Sequence, residues 1–151
     1  MTATPEAEGP PIVTGGDPQQ STILVFDPDG LAKHGELPAT WRPLTERYRI
    51  IWCRVPADGA LTEASELLSD DGGTTAPVYV LASGQATYPV QRLLAEHPDR
   101  AEALLLVDPP DDAADQGRVI ARSEGGPRDR IPPPLPLGHP DVVAALERAI
   151  S

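Results

Sequence analysis

A serine and a glycine follow an apolar run in the middle of the chain, at a position where either could form the apex of a catalytic turn. The residues after this run are Ala82-Ser83-Gly84-Gln85-Ala86. A serine at a sharp strand-to-helix turn can act as a nucleophile, and the turn tolerates only small residues two places either side of its apex. Gly84 has alanines at both places, whereas Ser83 has Leu81 and Gln85. The pattern therefore centres on Gly84, which carries no nucleophilic atom, although a shifted turn would make Ser83 reactive.

Glycine suits such an apex because it adopts a positive φ angle without the steric penalty of a Cβ atom. The surrounding stretch resembles the α/β-hydrolase family, whose members commonly show a strand, the motif G-x-S-x-G, a helix, a Pro-Asp-Arg turn and a strand ending in Asp-Pro. The corresponding residues here are Ala82-Ser83-Gly84-Gln85-Ala86, Pro98-Asp99-Arg100 and Asp108-Pro109. The resemblance covers about residues 22 to 110 and implies that Gly84 occupies the position of the nucleophilic serine.

The same resemblance continues more weakly toward the end of the chain. Residues 126–132 are similar to the family's G-x-x-D-x-x-P loop, and Gly138-His139 is similar to its late Gly-His. This implies Asp129 as the acid and His139 as the base. An active member would then hydrolyse an ester or similar acyl bond, with Ser83 as the nucleophile. From the residues alone, Asp129 is better explained as a solvated loop acid and His139 as a helix-start residue.

Asp27 and Asp29 suggest a second chemistry, because two such carboxylates can bind Mg²⁺ and one of them can attack a phosphorus centre. The apolar run that ends in D-P-D-G at residues 27–30 resembles the haloacid-dehalogenase phosphatases. That family normally has Thr where this chain has Leu31, and no lysine occurs between Ser83 and Asp108. A strand-ending turn is the simpler interpretation, since Asp, Pro and Gly are common turn formers.

Short apolar runs alternate with stretches of helical spacing along the chain. The runs are Thr22–Phe26, Arg49–Cys53, Val78–Leu81 and Ala103–Val107. Near-continuous runs of this length are typical of strands buried on both faces. Helical spacing occurs at Leu61, Ala64, Leu67 and Leu68, at Ala86, Val90, Leu93 and Leu94, and after Pro140. The alternation predicts an α/β fold with a mostly parallel sheet flanked by helices, and the resemblance makes it a truncated α/β-hydrolase-like fold.

The length of 151 residues suits a single domain. We expect residues 1–21 to be a disordered tail, because Pro, Gly and Gln offer little to bury. Residues 22–151 are predicted to form one α/β-hydrolase-like domain with an irregular, Pro- and Gly-rich segment at 109–140. The lone Cys53 lies in an apolar run and is predicted to be a buried, unreactive thiol, which fits a reducing cytoplasm.

A formal net charge of −11 argues against nucleic acid or an anionic membrane as a partner, because both attract positive charge. No apolar run approaches the length of a membrane span, so we expect a soluble cytoplasmic protein. The residues suggest no cofactor. The leading hypothesis is a catalytically degenerate α/β-hydrolase-like domain that binds an unidentified small molecule or protein in a regulatory or scaffolding role. The alternatives are a weak serine esterase and a phosphatase.

Overall fold

A six-stranded sheet organises the part of the chain that the computed structural model describes, namely residues 10–17, 19–28, 35–55, 57, 59–69, 78–97, 101–121 and 137–150. The strands are β1 (Ile12–Gly15), β2 (Thr22–Asp27), β3 (Arg49–Arg54), β4 (Val78–Ser83), β5 (Ala103–Val107) and β6 (Arg118–Ala121). The α-helices within these residues are α1 (Ala60–Ser69), α2 (Thr87–Glu96) and α3 (Pro140–Ile150). The strand order is β1-β3-β2-β4-β5-β6.

The sheet is mainly parallel, which confirms the predicted α/β fold. Strands β2 to β6 pair in parallel, and β1 pairs with β3 in the antiparallel sense. All four predicted strands are present, and all six residues of β2 are buried. Helices cover both faces of the sheet, so a strand in its middle has no solvent-facing side and its sequence is apolar throughout.

Strand β1 corrects the prediction of a disordered tail, since it lies within residues 1–21. Residues Ile12–Gly15 pair with β3, and Val13 is buried. Only Val13 of these four residues is fully buried, because β1 is at the edge of the sheet. Its short length and the Pro and Gly residues around it concealed it in the sequence. Residues 1–9 lie outside the described residues.

Two apolar cores lie on opposite faces of the sheet. One face packs against α1 and α2, and its buried members include Leu24, Phe26, Ile51, Cys53, Ala64, Leu68, Val80, Val90 and Leu106. The other face packs against α3, and its buried members include Ile23, Val25, Ile50, Trp52, Leu81, Leu105, Val142 and Leu146. Helix α3 begins at Pro140 and docks on the sheet as its amphipathic pattern predicts. No helix of the described residues is both long and apolar enough to cross a membrane.

A pair of tryptophans holds the segment before α3 against the sheet. Trp41 and Trp52 are fully buried, and their rings meet edge to face with centroids 5.0 Å apart. Trp41 Nε1 donates a hydrogen bond of 2.6 Å to the carbonyl oxygen of Leu137, and Thr40 Oγ1 donates one of 2.6 Å to that of Gly138. Directly after Trp41 the chain forms a short 3-10 helix, Arg42–Glu46, and then enters β3 at Arg49.

Cys53 is the buried, free thiol that the sequence predicted. Its Sγ lies 3.4 Å from the carbonyl oxygen of Ala60, to which the thiol donates. Burial raises the pKa of Cys53 to about 12, with smaller contributions from the negative charges of Asp27 and Glu63. The thiol is therefore protonated and unreactive at neutral pH, because the thiolate is the nucleophilic form.

The raised pKa of Cys53 predicts a loss of stability in alkali. The pKa of the thiol in the unfolded chain is near its ordinary value of 9.0, whereas the pKa in the folded protein is about 12. Between these values the folded state binds more protons, so the free energy of unfolding falls as pH rises, by up to ~1.4 kcal/mol per pH unit. Urea unfolding from pH 7.5 to 10.5 should show the stability difference between wild type and Cys53→Ala shrinking as pH rises. A constant difference would contradict the assignment.

Candidate functional site

The carboxyl ends of β2 and β4 form the natural position for a ligand site in this sheet. In the sheet, β3 lies next to β2 on one side, and β4 lies next to β2 on the other side. The direction in which successive strands are added therefore reverses at β2. In open α/β sheets, ligands bind outside the carboxyl ends of the strands at such a reversal of strand order. The last residues of β2, β3 and β4 therefore define the candidate site.

Three polar residues end these strands, where the flanking positions are apolar. They are Asp27 of β2, Arg54 of β3 and Ser83 of β4. Asp27 pairs with Arg54 across β2 and β3. On the other side of β2, Phe26 pairs with Ala82, so Asp27 and Ser83 are each one residue beyond a paired position. Side chains alternate along a strand, so all three polar side chains lie on the sheet face covered by α3. Each is at most 1% exposed.

Asp27 and Arg54 bring opposite charges into the interior on neighbouring strands. Trp52 Nε1 donates a hydrogen bond of 3.1 Å to Asp27 Oδ2, and Arg54 Nη1 donates one of 2.8 Å to the carbonyl oxygen of Pro10. A buried charge is costly unless it is paired or hydrogen-bonded, so these contacts help to fix both side chains. Trp52 and Arg54 could not be assigned to the site from the sequence, because their contacts depend on the register between strands.

Gly84 lies directly after β4 and has a φ angle of +49°. It begins the 3-10 turn Gly84–Ala86, which continues into α2 at Thr87. Gly84, Ala82 and Ala86 are all buried, so the turn is packed tightly on both sides. The left-handed φ angle favours glycine over residues with a Cβ atom. The backbone thus turns sharply from strand to helix at a residue without a side chain.

Ser83 is buried beside this turn, and its hydroxyl has no hydrogen-bond partner within the part of the chain that the structure describes. The residue stands at the N-terminal cap of the 3-10 turn, in extended conformation, yet its side chain makes no capping hydrogen bond. An unpaired buried hydroxyl costs about 1 to 3 kcal/mol. Buried polar groups are paired in most proteins, so an unpaired one at a candidate site calls for a functional explanation.

The predicted nucleophile and base share no hydrogen bond. His139 lies immediately before α3, half-buried, and its Nδ1 accepts a hydrogen bond of 3.0 Å from the backbone N–H of Asp141. Ser83 Oγ has no partner. Asp129 lies outside the described residues, as do Pro98-Asp99-Arg100. In the described structure, the contact that His139 makes is therefore a local one at the start of α3.

The described residues include one of the two carboxylates of the phosphatase hypothesis. Asp27 is buried against Trp52, whereas Asp29 lies outside the described residues. Asp112 accepts a hydrogen bond of 2.7 Å from the hydroxyl of Tyr88, and this bond raises the pKa of Tyr88. Among the residues that the structure covers, no group of at least three His, Cys, Asp or Glu side chains could hold a metal ion.

A shallow surface depression lies beside α3, away from the carboxyl ends of β2 and β4. Thr40, Arg47 and Glu147 are among its lining residues. Arg47 and Glu147 form an exposed ion pair across it, with an N–O distance of 3.3 Å. None of the strand-end polar residues lines it, so it is separate from the candidate site.

Comparison with known proteins identifies one solved structure of similar shape and no match to a family model or to a curated protein. The similar structure is that of a membrane phospholipase A, described as a novel bacterial virulence factor. The TM-score is 0.45 at 18% sequence identity, over 91% of this chain and 56% of that one. This chain thus spans little more than half of its structural neighbour. So distant a likeness carries no functional weight.

Proposed function

We propose that this chain is a shortened α/β-hydrolase-like domain whose strand-to-helix elbow has lost its nucleophile, and that it binds a small molecule at the carboxyl ends of β2 and β4. Gly84 is the observation that carries the proposal. It is buried, it follows β4 directly, and its φ angle is +49°. At the apex of a nucleophile elbow a serine would present its hydroxyl, whereas glycine keeps the turn without the chemistry.

Ser83 supports a binding role for the same edge of the sheet. Its hydroxyl is buried and has no hydrogen-bond partner among the described residues. A ligand that reaches it would supply the missing hydrogen bond and recover part of the cost of burial. Asp27 and Arg54 add fixed charges at the ends of the adjacent strands, and such convergent polar groups in an apolar surround are typical of small-molecule sites.

Replacement of Ser83 by alanine is expected to separate stability from binding. The change removes an unpaired buried hydroxyl, so the free energy of unfolding of the ligand-free protein should rise by about 1 to 3 kcal/mol. The affinity for a ligand that uses the hydroxyl should fall at the same time. Urea unfolding measures the first effect. A thermal-shift screen of short carboxylic acids, alcohols and esters, followed by calorimetry on the compounds that raise Tm, measures the second.

Thr22→Val is the matched control. Thr22 Oγ1 is also buried and unpaired, but Thr22 lies at the amino end of β2, the opposite end of the strand from Asp27. The control should gain stability for the same reason and bind the ligand as the wild type does. Equal binding by wild type and Ser83→Ala would contradict a site at Ser83.

Loss of catalysis at the elbow is tested with nitrophenyl esters and a fluorophosphonate probe. We expect no turnover and no labelling that depend on Ser83, because no base is bonded to its hydroxyl. Turnover abolished by Ser83→Ala would instead support the esterase hypothesis. Labelling gained at residue 84 in Gly84→Ser would show that the missing side chain is what prevents the chemistry there.

A further inference from the structure

A serine and a histidine meet on the opposite side of the molecule from the side chain of Ser83. Ser65 Oγ and His97 Nε2 lie 3.0 Å apart, although the residues are 32 positions apart in the chain. Ser65 belongs to α1 and His97 directly follows α2, so the pair bridges the two helices on one face of the sheet. Both side chains are partly buried. The contact lies within the reach of a nucleophile and its general base.

The local backbone presents the histidine ring to the serine. His97 is the C-terminal cap of α2, and its N–H donates a hydrogen bond of 3.1 Å to the carbonyl oxygen of Leu93. The ring therefore stands at the carboxyl end of α2. With the proton on Nδ1, Nε2 accepts the hydroxyl proton of Ser65.

We propose that Ser65 and His97 form a nucleophile and general-base pair that accepts an acyl group from small activated esters. This activity is independent of the elbow at Gly84 and of the ligand proposed for Ser83. Ser65 is better placed than Ser83 to act as a nucleophile, since its hydroxyl is bonded to a base. The hydroxyl of Ser83 has no partner among the described residues, and the residue is 1% exposed.

The acyl transfer balances as follows for a nitrophenyl acetate. Ser65 Oγ forms a bond to the carbonyl carbon while its proton passes to His97 Nε2. The tetrahedral intermediate then breaks its bond to the nitrophenolate, which leaves with the electron pair, and the imidazolium releases its proton to water. The products are acetyl-Ser65, nitrophenolate and a proton. No third side chain of the described residues is bonded to Nδ1 of His97, so we expect one slow acylation per chain rather than rapid turnover.

The purified full chain should be incubated with p-nitrophenyl acetate, and nitrophenolate release and peptide masses recorded. We expect about one equivalent of nitrophenolate, in line with a single acylated serine, and acetylation mapped to Ser65. Ser65→Ala should abolish this labelling. His97→Gln should slow it at least ~100-fold, which is the lower end of a general-base contribution. Thr62→Ala, which removes an exposed hydroxyl from the same helix, is the matched control and should be labelled at Ser65 like the wild type.

A second pair of variants tests the role of His97 in proteins whose folding is checked directly. In Ser65→Cys the introduced thiol should react with iodoacetamide faster than in Ser65→Cys/His97→Gln, and circular dichroism checks that both variants are folded. Cys53 gives little background, since its pKa of about 12 keeps it protonated. The proposal is overturned if wild type is not acetylated at Ser65, or if His97→Gln leaves the rates at residue 65 unchanged. Because labelling is mapped by residue, failure here leaves the site at Ser83 unaffected.

Discussion

Gly16→Ala should be among the most destabilising single substitutions in this chain, lowering the free energy of unfolding by about 2 to 5 kcal/mol. Gly16 follows β1 and has a φ angle of +89°. A Cβ atom there would overlap the carbonyl oxygen of Tyr48 and lie 3.1 Å from Cα of Arg49. The left-handed backbone costs roughly 1 to 2 kcal/mol, and forced overlap about 1 to 3 more. Urea unfolding at constant pH measures the change.

Gly35→Ala separates the two contributions. Gly35 has a similar φ angle, +86°, but no atom of the described residues lies within 4 Å of the Cβ position. Its replacement should cost only the roughly 1 to 2 kcal/mol of the left-handed backbone. If both variants lost the same free energy of unfolding, Gly16 would not pack against the carbonyl oxygen of Tyr48.

The second large effect is expected for Trp41→Ala, at about 3 to 5 kcal/mol. Trp41 is fully buried, packs against Trp52 and donates a hydrogen bond to the carbonyl oxygen of Leu137. Its removal leaves a cavity beneath the start of α3 and a buried carbonyl without its donor. A stable domain has only about 5 to 15 kcal/mol in total, so the variant should unfold at much lower urea concentration.

Trp41→Phe is the conservative partner of this variant. It keeps most of the ring but lacks the donor to Leu137, and we expect a loss of about 1 to 3 kcal/mol. In both variants, amide hydrogen exchange should accelerate in α3 before it does so in β2. Unchanged protection of α3 in a folded Trp41→Ala protein would refute the anchoring role of this residue.

The main strands could be predicted because each has an apolar interior of several consecutive residues, as burial on both faces requires. Strand β1 could not, since an edge strand of four residues needs only one buried side chain, Val13. The strand-to-helix position of Gly84 follows from the small residues around it. Its hydrolase origin remains a prediction, as do the roles of Asp129 and His139.

The polar contacts that matter most were hidden for a different reason. Trp52 bonds to Asp27 from the neighbouring strand, 25 positions away, and Ser65 meets His97 across two helices. Such pairs depend on strand register and helix packing, which a single sequence does not encode locally. Neither Ser65 nor His97 was a candidate in the sequence analysis, and only the packing of α1 against the end of α2 brings them together.

The chain contains two tryptophans, and they touch each other. Its intrinsic fluorescence therefore reports a single place, where the sheet, the segment before α3 and the carboxylate of Asp27 come together. A ligand that perturbs Asp27 would alter the emission without a label, and detachment of α3 would shift it toward the spectrum of solvated indole. Fluorescence and far-ultraviolet circular dichroism would then give different unfolding midpoints if α3 leaves before the sheet unfolds.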